Sequence, residues 1–359
     1  MPLSEEQALS ACSTGRGGGF RCLFGPPKEK KSNHYFMNIV RFGVVGTNFI
    51  TDWMLKGASH ESRFRLTAVS SRSEETARNF AQRYQVPHTF TRLEDMAQSP
   101  HIDAVYIATP NSLHAGQSLL FLRHGKHVLV EKPFATTAAE AGAMASEARA
   151  RGLVIMEAMK TTVTPNFIKL QQSLHRVGPV RRYFAAYCQY SSRYDKFKEG
   201  IVLNAFNPAL GNGSLTDIGV YCLSPMVALF GMPQSVKSVS FSLSSGADGQ
   251  GAALFTYPEM DAMVLYSKIA DSALPSEIQG EAGTLRIPAI NRFNGLTLRH
   301  RDGREEDLCE PHIEDDMYYE IKLFIDRVLQ CDTTPNLNRV EQSVGVAKLL
   351  EKIRNSAAM

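Results

Sequence analysis

The sequence predicts an α/β chain: an N-terminal doubly wound parallel sheet, then an α+β domain built on a largely antiparallel open sheet. Three observations carry this prediction. At 359 residues the chain exceeds the roughly 250 to 300 that one hydrophobic core serves, so two domains are expected. Up to about residue 159, short apolar runs alternate with stretches of helical spacing, the pattern of right-handed βαβ crossovers in a parallel sheet. Beyond it, β-rich runs at residues 182–190 and 236–266 are separated by Gly, Ser and Pro, and amphipathic helices at 314–329 and 339–354 close the chain.

Composition narrows the function classes. A hydrophobic share of 43% with 21% charged residues is that of a globular protein, and no apolar stretch approaches the ~18 residues of a membrane span. The net charge of +3 is spread along the chain, which argues against a nucleic-acid surface and for a small-molecule partner. Cys12, Cys22, Cys188, Cys222, Cys309 and Cys331 form neither a disulfide framework nor a Cys-x-x-Cys pair, so a reducing cytoplasm is expected. No His-Glu-x-x-His run is present and no metal is expected.

Residues 1–36 are Gly-rich at 14–19, basic at 26–31 and without hydrophobic period, and read as a disordered or appended leader. Residues 1–11 carry Glu5 and Glu6 and are too polar for a secretory signal. The first domain is placed at 37–158 and the second at 159–359.

The first strand, 39–45, runs into Gly46-Thr47-Asn48-Phe49-Ile50-Thr51 and a helix over 52–57. Such a strand-turn-helix lets backbone approach a pyrophosphate at a helix N-terminus. Gly46 holds the first glycine position of the dinucleotide fingerprint. Asn48 and Thr51 hold the second and third, and Asn48 is expected to tolerate an unusual φ there. The strand at 66–70 ends in Ser71 and Arg72 about 25 residues after Gly46, near the ~20 at which an acid would grip the ribose of NAD. Hydroxyl and guanidinium suit a 2′-phosphate instead, so NADP is favoured over NAD. Alternatively Arg72 caps a surface turn beside Glu74 and Glu75.

A helix over 73–84, a strand over 104–108 and a helix over 112–123 follow. Thr109, Pro110 and Asn111 fall on the same sheet edge as Gly46 and Ser71, and His114 lies one helical turn on, facing the cleft or packed in the structure. The apolar run 127–130 stops at Glu131-Lys132-Pro133, where proline cannot extend the ladder, so Lys132 sits at the ligand-binding edge. The bland alternative is a snorkelling surface lysine. A last strand over 154–159 completes the sheet.

In the second domain the Gly-rich turn 211–213 enters an apolar helix bearing Asp217 and Tyr221, four apart and so on one face. A phenol beside a lysine can carry the proton of a carbinol during hydride transfer, the cation lowering its pKa. Otherwise Asp217 caps the helix and Tyr221 packs in the core.

Glu131-Lys132-Pro133, Asp217-Ile218-Gly219-x-Tyr221 and, before them, Ala108-Thr109-Pro110-Asn111 resemble the glucose-fructose oxidoreductase and inositol dehydrogenase group, Gfo/Idh/MocA, over roughly residues 38–354. The resemblance implies a Rossmann domain whose Lys132 touches both nicotinamide ribose and substrate hydroxyl. It implies a substrate-orienting Asp217, and a Tyr221 where other members use His, pointing to the NADP-linked dihydrodiol and xylose dehydrogenase-like branch. The Lys132–Pro133 bond is expected to be cis. Lys160, Tyr190, Arg193 and Tyr194 are candidates for a polyhydroxylated substrate, or surface and packing residues. The expectation is an oxidoreductase moving a hydride between nicotinamide and a hydroxyl or carbonyl carbon of a sugar, cyclitol or diol. The alternative is a dinucleotide-binding sensor without turnover. A homodimer or homotetramer through the second sheet is expected.

Overall fold

The computed structural model describes residues 39–334 and 336–357, and the leader expected over 1–36 lies outside the described residues. The first sheet comprises β1 (Val40–Val45), β2 (Phe64–Ser70), β3 (His88–Phe90), β4 (Ala104–Ile107), β5 (His127–Glu131) and β6 (Ile155–Ala158). All five pairings are parallel, in the order β3-β2-β1-β4-β5-β6. The crossovers are α1 (Phe49–Ala58), α2 (Glu74–Tyr84), α3 (Leu93–Gln98), α4 (His114–Arg123) and α5 (Ala138–Arg151). This order reverses direction between β1 and β4, and the crevice beyond their carboxyl ends is where such sheets take ligands.

The central strands are apolar on both faces because both faces are covered. Phe42, Val44, Tyr106, Leu129 and Met156 face one core, and Val105, Ile107, Val128, Val130 and Ile155 the other. Each such side chain contributes roughly 1.5 to 3 kcal/mol on burial. Side-chain caps start the helices: Ser73 accepts from Thr76 N on α2, and Thr137 with Glu140 forms a reciprocal capping box on α5, each device stabilising by about 1 kcal/mol.

The second sheet comprises β7 (Val180–Cys188), β8 (Ser235–Ser242), β9 (Asp248–Thr256), β10 (Asp261–Ser267), β11 (Ser276–Gly280), β12 (Gly283–Ile287), β13 (Thr297–His300) and β14 (Glu305–Asp307). Its order is β14-β13-β12-β11-β7-β10-β9-β8, antiparallel except for the β7–β10 pair. The helices of this part are α6 (Pro165–Ser173), α7 (Tyr194–Lys198), α8 (Val220–Phe230), α9 (Tyr318–Val328) and α10 (Val340–Ala357). Leu223 and Met226 of α8 and Leu349 and Ile353 of α10 pack with Tyr183, Val264 and Ile278 on one face of the sheet. On β8 and β9, Val239, Phe241 and Leu254 are exposed.

Two features depart from expectation. The stretch Pro208–Phe230 is long and apolar enough to cross a membrane by length and composition, although none was expected; 72% of its apolar window is buried in the protein, where α8 covers the sheet. Helix α9, grouped by sequence with the second sheet, buries Ile321, Phe324 and Ile325 with Phe42 and Met54, so the chain returns to the first core.

Candidate active site

The strand ends of the first sheet build a cradle. Gly46 has φ +100°, and a Cβ on it would stand 2.5 Å from the Ala108 carbonyl oxygen, so only glycine lets the exit of β1 pass this close to the end of β4. Asn48 does not supply the unusual φ expected of it. With φ −89° it caps α1, which begins at Phe49 rather than Asp52, its Oδ1 accepting from Ile50 N and its Nδ2 donating to Ala108 O at 2.8 Å. The amide side chain thus fixes the turn that the missing glycine would have tightened. Thr51, fully buried, donates its hydroxyl to Gly46 O at 2.8 Å and takes the third glycine's place between helix and strand. The N–H groups of Thr47 and Asn48 have no acceptor among the described residues, which leaves them for an anion at the helix N-terminus.

At the end of β2, Arg72 is exposed and unpaired among the described residues: Glu74 pairs with Arg78 at 2.5 Å and Glu75 makes no ion pair with Arg72, so the local pairing is not formed. Thr109 donates to Gln117 at 2.7 Å, and Asn111 Nδ2 bridges to Gly211 O at 3.1 Å and Asn212 Oδ1 at 2.8 Å, tying the sheet edge to the second half of the chain. His114 is a correction. It is fully buried with Nδ1 2.9 Å from Pro133 O and Nε2 3.0 Å from Thr109 O, so both ring nitrogens face backbone carbonyls, one of them donating, and neither is turned to a dinucleotide. Burial lowers its pKa.

Lys132 follows β5, and its peptide bond to Pro133 is cis. Its Nζ lies 2.7 Å from Asp217 Oδ1 and 5.2 Å from the centroid of the Tyr221 ring, so residues from the two halves of the chain meet. Asp217 lies in a π-helical turn, Leu215–Gly219, ahead of α8, where a simple helix was expected. The turn is pinned by Asp248, whose Oδ2 accepts from Leu215 N at 2.7 Å and from the Ser214 hydroxyl. A Cβ at Gly213 would stand 2.0 Å from Asp248 Oδ1, so glycine admits that carboxylate. Lys268, at the end of β10, donates to Asp217 Oδ2 at 2.6 Å and to Ala205 O at 3.2 Å.

Electrostatics follow from this packing. Burial opposes the charge on Asp217, but the two ammoniums outweigh it and hold the carboxyl well below its ordinary range. Burial likewise opposes the charge on Lys132, and Asp217 outweighs it, so the ammonium is held above its usual value. For Tyr221 the cation lowers the phenol as expected, but it does not set the balance. Burial raises it by more than Lys132 lowers it, so in this cleft the phenol is neutral. Its hydroxyl has no hydrogen-bond partner among the described residues, only ring contacts to Lys132 and Tyr187. Glu131, raised by burial, accepts from the buried Tyr106 hydroxyl at 2.5 Å and from Lys132 N at 3.2 Å.

Tyr221 opens onto a cavity of about 470 Å³ lined also by Ile50, Trp53, Glu131, Lys160 and Glu320. Lys160 binds Asp316 through both carboxylate oxygens, at 2.8 and 2.7 Å. Tyr190, Arg193 and Tyr194 stand elsewhere. Tyr190 donates to Asp195 and meets Tyr194 edge to face, and the Arg193 guanidinium lies 5.6 Å from the exposed Phe49 ring beside the Gly46 loop. Their local partners are aromatic rings and acids of the same surface.

Lys268 and Glu320 escaped the sequence reading. Lys268 carried a usable signal, a lysine ending an apolar strand as Lys132 does, and Glu320 another, an acid on the apolar stripe of α9 beside Ile321 and Phe324.

Comparison with known proteins bears on the family and the fold. Residues 40–159 match a family model described as "Oxidoreductase family, NAD-binding Rossmann fold", and residues 175–286 one described as "GFO/IDH/MocA C-terminal domain". The chain is 49% identical over 316 residues to scyllo-inositol 2-dehydrogenase (NADP(+)) IolU of Bacillus subtilis, covering 88% of this chain and 96% of that one. It is 31% identical over 222 residues to trans-1,2-dihydrobenzene-1,2-diol dehydrogenase of Oryctolagus cuniculus, covering 61% and 65%. The fold matches a crystal structure of KijD10, a 3-ketoreductase from Actinomadura kijaniata in complex with NADP and TDP-benzene, with TM-score 0.78 at 24% identity over 89% of this chain and 98% of that one.

Proposed function

The chain belongs to the Gfo/Idh/MocA oxidoreductase family, and on that premise we propose that it is an NADP-dependent dehydrogenase of a cyclitol, sugar or diol, with NAD as a weaker cofactor. The observation that carries the reading is the meeting of Lys132 with Asp217 and with the ring of Tyr221, Lys268 holding the other oxygen of Asp217.

The cradle fits a dinucleotide: the Gly46 approach, the free N–H groups of Thr47 and Asn48 and the first turn at Phe49 and Ile50 suit a pyrophosphate, and Ser71 with the unpaired Arg72 suits a 2′-phosphate. Thr109, Pro110, Asn111, Glu131 and Lys132 edge the same crevice. A nicotinamide bound there supplies or takes up the hydride.

The chain's own residues then have one proton and one developing charge to manage. The Lys132 ammonium, held by Asp217, lies next to Tyr221 and is placed to stabilise an oxygen as it becomes anionic. In the reducing direction Tyr221, neutral in this cleft, donates its proton to that oxygen and is left as a phenolate beside Lys132; in the oxidising direction it must first release its proton to solvent, and the phenolate then takes the proton of the substrate hydroxyl. Lys268 acts by position, keeping Asp217 paired when Lys132 turns to a substrate hydroxyl. Lys160 and Asp316 offer a fixed donor and acceptor to a further hydroxyl.

Assembly and location belong to the same proposal. The exposed Val239, Phe241 and Leu254 on the outer sheet face suit a second copy of the chain, giving a homodimer or homotetramer. The free thiols of Cys188, Cys222, Cys309 and Cys331 suit the cytoplasm.

The test is to follow nicotinamide absorbance with NADP or NAD and a panel of inositols, aldoses and trans-diols. Turnover of at least one of them with NADP is expected. Tight NADPH binding with silence across the panel and its carbonyl counterparts would favour a sensor.

A further inference from the structure

Glu320, on the first turn of α9, is fully buried, and neither carboxyl oxygen has a hydrogen-bond partner among the described residues. It lines the cavity that Tyr221 opens onto. Buried polar groups left without partners cost about 1 to 3 kcal/mol each, so an orphaned carboxyl at a cavity wall marks a place where a ligand supplies the missing contacts.

The surroundings settle its protonation state. Glu131 on β5, Glu157 on β6 and Asp316 before α9 are carboxyls facing it, and the nearby cation, Lys160, is held by both oxygens of Asp316. Burial, with Glu131 next, pushes its pKa far up. A neutral carboxyl offers one O–H donor and one C=O acceptor side by side, whereas an ionised one offers acceptors alone. The complement of that pair is a primary carboxamide, with one carbonyl oxygen and one N–H in the same plane.

We propose that Glu320 is held as a neutral acid that pairs through both oxygens with the carboxamide of the nicotinamide ring, setting which face of the ring is turned towards Lys132 and Tyr221. The assignment rests on the reading that a nicotinamide dinucleotide occupies this crevice. Position supports it. The cavity joins Ile50 and Trp53 of α1, next to the pyrophosphate turn, with Glu131 and Ala158 at the ends of β5 and β6, a span from phosphate to reacting ring.

Trp53 lines this cavity and is the chain's one tryptophan, so its emission, quenched by energy transfer to a reduced nicotinamide, reads binding without turnover. The experiment titrates NADPH, by Trp53 emission, and 2′,5′-ADP, by competition with NADPH, into the wild-type chain, Glu320→Leu and Glu320→Gln. Glu320→Leu should bind NADPH at least tenfold more weakly while its affinity for 2′,5′-ADP, which lacks the ring, stays within twofold of wild type. Glu320→Gln keeps one donor and one acceptor and should recover most of the affinity. Unchanged NADPH binding in Glu320→Leu overturns the assignment and leaves the dehydrogenase reading standing, as does an equal loss for both ligands. A wild-type chain that binds no NADPH overturns both.

Discussion

Arg72 stands alone at the end of β2 while its neighbour Glu74 is engaged by Arg78, which leaves the guanidinium free for the 2′-phosphate of the proposed cofactor. A guanidinium free to make charge-assisted bonds to a 2′-phosphate contributes roughly 1.5 to 3 kcal/mol, a tenfold to hundredfold effect on affinity. Replacing Arg72 with Ala is expected to weaken NADPH by that factor and NADH by less than threefold, measured by titration of each. Equal losses would contradict the phosphate assignment. At this scale the sequence was most legible where a chemical group stood at an abrupt change of pattern, as Lys132 does between a buried run and a proline. It was least legible for partners far apart in the chain: nothing local to Lys268 reveals that its ammonium meets Asp217, and nothing local to His114 reveals that both its nitrogens face carbonyls.

Strand β6 ends with a buried Glu157 whose Oε1 accepts from Phe134 N at 2.9 Å, so this carboxyl holds the loop that carries the cis bond after Lys132. Burial raises its pKa to about 7. Between the ordinary value of 4.5 and about 7 the folded chain keeps the proton while the unfolded chain releases it, so stability falls as pH rises across that window and is level above it. The fall attributable to this group is up to about 3 kcal/mol. In Glu157→Gln the decline in melting temperature from pH 4.5 to 7.5 should be visibly shallower than in the wild type, and parallel curves would refute the assignment. The elements that the sequence showed clearly are those with long apolar runs, β1, β4 and β5. Three-residue β3 and six-residue α3 were not legible because so short an element has no period to read. Helix α1 was placed three residues late because the Asn48 cap was read as a substitute for glycine.

At the scale of the molecule, two sheets and their order along the chain follow from patterning, but which sheet a helix covers does not. The apolar stripe of α9 says that it is buried; only the folded structure shows Phe324 against Phe42 in the first core. That return of the chain brings Glu320 and Asp316 to the crevice, so the cavity is built from both ends of the sequence. The outer face of the second sheet carries its own prediction. Phe241→Glu places a charge on an already exposed position and should reduce the sedimenting mass to that of a smaller assembly without lowering the melting temperature of the subunit; an unchanged mass would remove this face from the interface. The central claim is that Lys132 and Tyr221, brought together from the two halves, flank one reacting carbon. Single-turnover hydride transfer to bound NADP from a substrate found in the panel measures that step alone. Lys132→Met and Tyr221→Phe should each retain NADPH binding within threefold and slow the transfer by about 10² to 10⁴. Transfer within a few-fold of wild type in both variants would contradict the account.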